Sequence, residues 1–411
     1  MHLNATQEAT LKLSVGMLSG EDIICLALRR WDGPWKNNQQ IMSLLARSNR
    51  VLYVGPPRSL RESLATLRMP SKRRPSVERR AEGLFVYNEP WFLSPIRHTR
   101  KGAAVLNRIT EVARASHIRR VCRGLGFRSP ILWVYDPMAA PLVGTFGEKL
   151  VVYHVIDNYD EYFPESETRL RSLIARRQQF MLKRADVVFA VSEPLRQRCR
   201  NINPNSHLIS NGVNYALFQE AMRTEQVPDD VAKIPRPVIG YVGAMQPRID
   251  FRLLEEMATH RPDWSFLLVG PMEYLDGEKS FSALAGRPNV HYLGPKPVEQ
   301  VPFYMKACDV GLIPYKKDGF SPYSDSLKLY EYLACGLPVV SSDMPSSRRF
   351  VPLVRVAADL PEYIDAIELS LAGDDARKTE RVALAEQHSW ERRVETMRRL
   401  VGAALMRDGR G

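Results

Sequence analysis

The chain has 411 residues, which is about twice the length of a typical domain and predicts two packed domains. Hydrophobic residues make up 45% and charged residues 25% of the sequence, which are the proportions of a globular protein and exclude a disordered or fibrous one. No run of about 18 apolar residues is present, and Met1–Gly20 lacks the basic and apolar regions of a secretory signal. We therefore expect neither a membrane-spanning helix nor secretion.

The net charge of +12 is concentrated in one part of the sequence. The stretch Pro56–Arg128 contains 17 Lys or Arg and 5 Asp or Glu, so it carries the whole excess. Such a patch suits phosphate groups, either of nucleic acid or of an anionic membrane surface, with solvated helix faces as the alternative. Within it, the basic segment Ser71–Arg80 follows Pro70 and contains Pro75, which predicts a mobile surface loop.

Six short apolar runs in the first half predict buried strands, because they lack the in-and-out alternation of half-exposed strands. They are Asp22–Leu28, Arg50–Val54, Leu84–Tyr87, Ile131–Tyr135, Leu150–Ile156 and Val187–Val191. Three segments with helical spacing lie between them: Asn38–Arg47, Ala103–Arg123 and Glu165–Arg184. In the second helix an apolar stripe of Val105, Ile109, Val112, Val121 and Leu125 leaves Arg108, Arg114, Arg119 and Arg123 largely outside it. The order predicts a β/α domain with a parallel sheet.

A proline-rich linker, Thr224–Pro237, precedes a second β/α series. Its predicted strands are Val238–Val242, Phe266–Val269, Val290–Leu293, Val310–Ile313 and Val339–Ser341. Its predicted helices are Phe251–Thr259, Gln300–Ala307, Ser326–Ala334, Leu360–Leu371, Arg377–Glu386 and Trp390–Leu405. Two doubly wound domains in tandem are expected to face a central cleft at the carboxyl ends of their strands, where ligands of such sheets bind.

The segment Asp309–Asp343 holds the clearest candidate site. A strand ends near Tyr315, and a helix begins near Ser326 and Leu327, whose amides and positive dipole end suit a diphosphate. Lys328 lies in the first turn, and Glu331 follows on roughly the same face, where it suits the hydroxyls of a ribose. An exposed Lys/Glu pair on an ordinary helix is the alternative on spacing alone.

Several segments resemble the GT-B glycosyltransferases, particularly family 4 and its bacterial polysaccharide relatives. The resemblance is carried by "SLKLYEYLACGLPVV", "YVGAM", "NVHYLGPK", "ACDVGLIPY" and "SNGVN", and more loosely by "RRWDGPWKNNQQIM", "VVYHVID" and "ADVVFAVSEPL". It implies a GT-B fold with an acceptor-binding domain of residues 1–215, to which helix 388–411 crosses back. The nucleotide-sugar domain is then residues 216–387, with 216–237 as its linker. The implied donor-binding residues are Gly243, Met245, Lys296, Tyr315, Ser326, Leu327, Lys328 and Glu331.

Two positions depart from the retaining members of family 4. Tyr323 stands where these enzymes carry the first Glu of a Glu-x7-Glu motif, and Ala244 stands where they carry an Arg. The loop and helix look more like those of the xanthan glucuronosyltransferase, an inverting GT-B enzyme with a Lys matching Lys328. That enzyme has an Asp base at the place of Asp157, and a carboxylate ending a strand suits general-base chemistry. An Asp that caps the following loop is the structural alternative.

Other side chains are expected on the acceptor side. Trp35, Lys36 and Asn37 follow the first strand, and Glu193 follows a later strand. The rings of Trp31 and Trp35 are either sugar-stacking groups or packing anchors, and Glu193 is alternatively the start of a helix. His154 is predicted to be a satisfied core histidine, since strand alternation turns it away from Asp157.

Cofactor chemistry finds little support in the sequence. The five cysteines are scattered and form no C-x-x-C pair, which disfavours disulfides or a zinc site and predicts a reducing cytoplasm. No Asp-x-Asp or G-x-G-x-x-G motif occurs, so neither a metal nor a nicotinamide is expected.

The resulting prediction is a metal-independent glycosyltransferase that uses a nucleotide sugar, with UDP preferred, and a lipid-linked saccharide or polysaccharide precursor as acceptor. We expect it in the cytoplasm, peripheral on the inner face of the cell membrane, which it contacts through the basic region 56–128. The alternatives are a nucleotide-sugar 2-epimerase of the same fold and a catalytically inactive GT-B scaffold. A nucleic-acid binder is disfavoured, because no RNA-binding signature is present.

Overall fold

In the computed structural model of the chain, the described residues are 17–33, 35–57, 76–94, 103–162, 166–273, 279–373, 375–407 and 409. Two compact units divide the chain. Unit 1 is Met1–Ile209 together with Val394–Gly411, and unit 2 is Ser210–Arg393. Each unit is built around its own sheet, as predicted from the two β/α series.

The sheet of unit 1 has eight strands in the order β3-β4-β2-β1-β5-β6-β7-β8. Their bounds are β1 Asp22–Leu26, β2 Arg50–Val54, β3 Val77–Ala81, β4 Leu84–Tyr87, β5 Ile131–Val134, β6 Leu150–Val155, β7 Val187–Ala190 and β8 Ser206–Leu208. All neighbours pair in parallel except β3 and β4. The central strands are buried along their whole length, which explains why their sequences show no alternation.

Among the described residues, four α-helices belong to the first part of unit 1. They are α1 Asn37–Leu45, α2 Ala103–Gly124, α3 Thr168–Arg184 and α4 Glu193–Arg200. A last helix, α14 Trp390–Arg407, continues into unit 1, where the guanidinium of Arg398 donates to the carbonyl of Leu18 at 2.9 Å. None of the helices in the described part of the chain is both long and apolar enough to cross a bilayer.

The sheet of unit 2 has six parallel strands in the order β11-β10-β9-β12-β13-β14. These are β9 Val238–Val242, β10 Ser265–Val269, β11 Val290–Tyr292, β12 Val310–Ile313, β13 Val339–Ser342 and β14 Val354–Ala357. Its helices are α5 Tyr215–Met222, α6 Asp229–Ala232, α7 Phe251–His260, α8 Lys279–Ala285, α9 Val301–Lys306, α10 Leu327–Ala334, α11 Pro345–Arg348, α12 Leu360–Leu371 and α13 Lys378–Gln387. The predicted linker thus contains a short helix, α6, whose Val231 is buried in the core of the unit.

Two expectations about the basic region are wrong. The part of Ser71–Arg80 that the structure describes is not a loop, because Arg79 and Arg80 belong to β3, the antiparallel edge strand; residues 71–75 lie outside the described residues. Backbone pairing with β4 orders this strand, and Arg80 also forms ion pairs with Asp32 at 2.9 Å and with Glu78 at 2.7 Å.

The predicted stripe of α2 also fails at its N-terminal end. Val105, Ile109 and Val112 are exposed, while Arg114 of the same helix points inward. One cause is electrostatic: the side chain of Glu89 is fully buried, and Arg114 pairs with it at 2.8 Å. A buried carboxylate needs a partner, so this pair helps to hold Arg114 and its face of the helix inward.

Candidate functional site

The carboxyl edge of the unit 2 sheet ends in glycines. Gly243, Gly270 and Gly294 follow β9, β10 and β11 and adopt φ values of 149°, 143° and 68°, which glycine adopts without strain. The turns touch through their backbones: the amide of Gly243 donates to Val269 and that of Gly270 to Gly294. A side chain on Gly270 would collide with the carbonyl of Gly243. This edge of the sheet is therefore formed by main chain without side chains.

Lys328 lies over this edge. It is in the first turn of α10, and its Cε and Nζ occupy the space that a Cβ on Gly243 would need. Its Nζ lies 4.8 Å from the ring centroid of Tyr241, at a distance typical of a cation–π contact. Two predicted donor-site residues that are 85 positions apart in sequence are thus brought together.

The start of α10 brings two more of the predicted residues together. Ser326 is the N-cap residue, but its side chain makes no capping hydrogen bond; its Oγ lies 3.4 Å from the hydroxyl of Tyr315. Leu327 and Glu331 are half-buried, and Glu331 is one turn after Leu327. The helix end, its dipole and the Lys328 ammonium together favour a bound anion.

Asp325, which the sequence interpretation did not single out, holds this helix start in position. Its side chain is fully buried and accepts from the amide of Asn211 at 2.6 Å, the hydroxyl of Tyr330 at 2.8 Å and the guanidinium of Arg349 at 3.1 Å. Burial raises the pKa of Asp325, and Arg349 opposes that rise. The sequence signal was the "SNGVN" segment together with an Asp directly before the helix.

Two other predicted positions, Met245 and Lys296, contribute differently. Met245 is fully buried, and its amide donates to Pro271, so it supports the loop from within. Lys296 pairs with Asp230 of α6 at 2.6 Å and lies over the ring of Tyr304. The hydrogen bond from Lys296 to Asp230 raises the pKa of the lysine. Its ammonium is thus held by α6.

The structure also shows where the two residues that depart from the family pattern lie. Tyr323 ends a 3₁₀ helix, Ser321–Tyr323, and is half-buried. Ala244 is buried, and its carbonyl accepts from the hydroxyl of Tyr241 at 3.1 Å. The nearby Arg248 lies over the rings of Phe320, at 5.2 Å, and Tyr315, at 6.0 Å.

In unit 1, Asp157 lies just after β6 and is buried. Its Oδ1 accepts from the amide of Asn158 at 2.9 Å, which is the loop-capping contact named above as the structural alternative. Glu193 begins α4 and pairs with Arg196 at 2.5 Å, which lowers the pKa of Glu193. Glu193 therefore lies at the start of a helix, which is the alternative given for it above.

The acceptor-side residues after β1 begin α1. The amide of Lys36 donates to Oε1 of Gln39 at 3.0 Å, and Asn37 is buried in the first turn. The ring of Trp35 packs edge-on against Trp31, with centroids 5.5 Å apart, and Trp31 packs in the same way against Tyr53. Trp31 is buried and serves as a packing anchor, whereas Trp35 is half-buried.

A cavity of about 230 Å³ opens at the carboxyl ends of β1, β2 and β5. Its charged lining comprises Glu111, Arg114, Asp136 and Arg177. Asp136 follows β5 as Asp157 follows the adjacent β6, and burial raises the pKa of Asp136. Sequence reasoning missed Asp136, although it occupies the same strand-end position as Asp157.

His154 lies in the core of the same sheet, as predicted. Its ring stacks on that of Tyr135 with centroids 4.8 Å apart, and burial lowers its pKa to about 3. The expectation that it is satisfied is wrong, since neither ring nitrogen has a hydrogen-bond partner within the described residues. The described part of the chain also contains no group of three or more His, Cys, Asp or Glu residues that could hold a metal ion.

Two doubly wound units with largely parallel sheets, the second with a lysine over a glycine turn at its strand ends, are the features expected of the GT-B fold. Residues 236–372 match the family "Glycosyl transferases group 1", which confirms the resemblance inferred from the motifs. The chain has the GT-B fold, and the residues that match this family lie within its second unit.

Known proteins agree with this assignment. The chain is 38% identical over 192 residues to the putative teichuronic acid biosynthesis glycosyltransferase TuaH of Bacillus subtilis (strain 168), a match that covers 45% of the chain. It spans about half of that relative, 47% of its length. The fold is similar to that of sucrose-phosphate synthase from Thermosynechococcus elongatus, with a TM-score of 0.71 and 18% identity, covering 94% of this chain and all of that one. It is also similar to Anabaena HepE in complex with UDP, with a TM-score of 0.61 and 15% identity, covering 93% of this chain and all of that one.

Proposed function

We propose that the chain is a metal-independent glycosyltransferase that moves a sugar from a UDP-sugar to a lipid-linked saccharide or polysaccharide precursor. The observation that carries this proposal is the position of Lys328 across Gly243, beside the N-terminus of α10. An ammonium, a helix dipole and a sheet edge of glycine turns form a cradle for a diphosphate.

The donor roles follow from this arrangement. Lys328 and the amides of Ser326 and Leu327 hold the diphosphate, and Glu331 accepts hydrogen bonds from the ribose hydroxyls. Gly243, Met245, Tyr315 and Lys296 belong to the surrounding loops. UDP is favoured as the nucleotide because a structure of similar fold, HepE, is described as a complex with UDP.

Catalysis requires that the leaving diphosphate be stabilised as its bond to the anomeric carbon breaks. Lys328 and the helix dipole supply that stabilisation, which is the usual role of preorganised charge in such displacements. The acceptor hydroxyl forms the new bond to the anomeric carbon, and Asp157 takes its proton. This proposal gives product with inverted configuration and leaves acceptor binding to unit 1, where Trp35, Lys36, Asn37 and Glu193 are the candidates.

The acceptor class is supported by the name of the relative from Bacillus subtilis, which describes a glycosyltransferase of teichuronic acid biosynthesis. By analogy we place the reaction in surface polysaccharide assembly, at the cytoplasmic face of the membrane. The basic region 56–128 supports a contact with anionic lipid, since each well-placed basic residue contributes about 1 kcal/mol.

Isothermal titration of UDP and uridine tests the donor site. Lys328→Ala should weaken UDP binding by about tenfold or more and leave uridine binding nearly unchanged, because the lost ammonium faces only the diphosphate. Glu331→Ala should weaken the binding of both ligands. Equal UDP affinity of wild type and Lys328→Ala would overturn the assignment.

Product analysis by NMR then tests the reaction. Acceptor-dependent release of UDP with inversion at the anomeric carbon is expected. Retention would remove the need for the Asp157 base, and conversion of the donor sugar into its epimer without acceptor would identify an epimerase instead.

A further inference from the structure

The outward face of α2 carries a cluster of large apolar side chains in its first three turns. Val105 is 67% exposed, Leu106 47%, Ile109 60% and Val112 64%. The inward face is formed by Asn107, Ala115, Ile118 and Cys122 and by the ion pair of Arg114 with Glu89. The cluster is therefore fixed on the outside by what the helix must bury, and clusters of this kind mark binding surfaces.

An aromatic pair adjoins this face. The 3₁₀ helix Trp91–Leu93 packs against α2, with the ring centroid of Phe92 5.8 Å from that of His117. Trp91 is 44% exposed and Phe92 55%, although both are large apolar residues. Aromatic rings at the edge of an apolar surface are typical of groups that sit at a membrane interface.

The same outward side also carries basic residues, most of them farther along the helix. At 100° per residue, Arg108, Arg119, Arg120 and Arg123 all lie within about 100° of the direction of Val105 and Ile109, and all four are exposed. The single acid of α2, Glu111, is turned away and pairs with Arg177 at 2.7 Å. The outward face of α2 thus carries four positive charges and no negative one.

We propose that this face of α2, with Trp91 and Phe92, inserts into an anionic lipid bilayer. The aliphatic turns and the aromatic pair enter the headgroup region, and the arginines reach the lipid phosphates, as in interfacial amphipathic helices. A second copy of the chain fits this surface poorly, because like charges would face each other. This inference rests on the proposed function in one respect: an acceptor carried by lipid is the reason why the protein needs a membrane.

This face of α2 adds an apolar component to the electrostatic one of the basic region, so we expect membrane binding to have both. Electrostatic attraction weakens with salt, whereas burial of apolar side chains does not. Binding should therefore fall in high salt but not vanish, and it should be strong for vesicles of phosphatidylglycerol and weak for vesicles of phosphatidylcholine.

Vesicle co-sedimentation of the full chain tests the proposal. The triple variant Val105→Ser, Ile109→Ser, Val112→Ser should bind phosphatidylglycerol vesicles about 100-fold more weakly, since three aliphatic groups no longer enter the interface. The matched control changes three equally exposed apolar residues elsewhere, Val351→Ser, Leu369→Ser and Met406→Ser, which are 57%, 62% and 58% exposed. The control should bind as the wild type does.

Quenching of tryptophan fluorescence by brominated lipid gives an independent measure of depth. Wild-type protein should be quenched, and Trp91→Phe should lose most of this quenching while still binding. UDP binding measured on the same variants separates the two proposals, since the α2 variants should keep full UDP affinity. Vesicle binding that the triple variant leaves unchanged, or a concentration-dependent dimer that it abolishes, would overturn the assignment of this face to a membrane.

Discussion

The end of the Lys328 side chain occupies the position that a Cβ on Gly243 would take. These residues come from the turn after β9 and the first turn of α10, and the absence of a side chain at 243 is what allows the ammonium to lie over the sheet edge and the ring of Tyr241. The two positions therefore act together on any anion bound there.

Gly243→Ala should weaken UDP binding by about tenfold or more, because the new methyl group displaces Lys328 and a charge-assisted hydrogen bond is lost. Isothermal titration measures this effect. Gly373→Ala is the matched control, since Gly373 also has a positive φ, of 119°, but no atom of the described residues lies within 4 Å of its Cβ position. It should lose some stability and keep its UDP affinity; an equal loss of affinity in both variants would point to backbone strain instead.

Asp325→Ala should destabilise unit 2 by about 3 kcal/mol, because Arg349, Tyr330 and the amide of Asn211 lose a fully buried partner. In a unit of this size the melting temperature should fall by roughly 6–12 °C. Asp343→Ala is the control: its pair with Arg348 is at the surface, at 2.5 Å, and should contribute much less to stability because solvent screens it. Calorimetry that finds similar shifts for both variants would contradict a structural role for Asp325.

Asp157→Asn should retain UDP-sugar binding and lose about 10²- to 10⁴-fold in turnover if its carboxylate is the base. A loop-capping role alone, which its contact with Asn158 already shows, predicts a lower melting temperature with turnover largely kept. Asp136→Asn is the informative comparison, because Asp136 ends the neighbouring strand. A large loss of turnover for Asp136→Asn with little effect of Asp157→Asn would transfer the base to Asp136.

His154 should make the protein sensitive to acid. Its pKa is lowered to about 3 by burial, against about 6.5 in an unfolded chain, so the unfolded state binds the extra proton between these values. The contribution to stability is complete above about pH 6.5 and is lost as the pH falls toward 3, by up to about 1.4 kcal/mol per pH unit. His154→Phe, which keeps the ring beside Tyr135, should flatten the fall in melting temperature between pH 6 and pH 4. An unchanged pH profile would show that other groups control acid unfolding.

Most of the regular structure could be predicted from the sequence. The fully buried parallel strands appear as continuous apolar runs, and their predicted bounds agree with the structure within one or two residues. The strands β3, β8 and β14 were missed. β3 is a polar edge strand, β8 has only three residues, and β14 is only partly buried, so none of them carries the apolar run on which the prediction depended.

The candidate donor residues were found by motif, whereas their supports were not. Lys328 and Gly243 lie in segments with recognisable patterns. Asp325 contacts Asn211 and Arg349, which are far from it in the sequence, so the sequence gives no sign of these contacts. Asp136 was missed because it shares its strand-end position with Asp157, and only the cavity beside it distinguishes it.

By itself, the sequence determined the two β/α series, the lysine in the first turn of a helix and the local excess of basic residues, because all of these depend on neighbours along the chain. The tertiary structure alone decided which way those features face. The helical spacing of α2 predicts an apolar stripe, yet the buried Glu89 turns Arg114 inward and leaves Val105, Ile109 and Val112 outside. The same inward face buries Ala115, Ile118 and Cys122 together with this ion pair, and one helix cannot bury two opposite faces against the same unit.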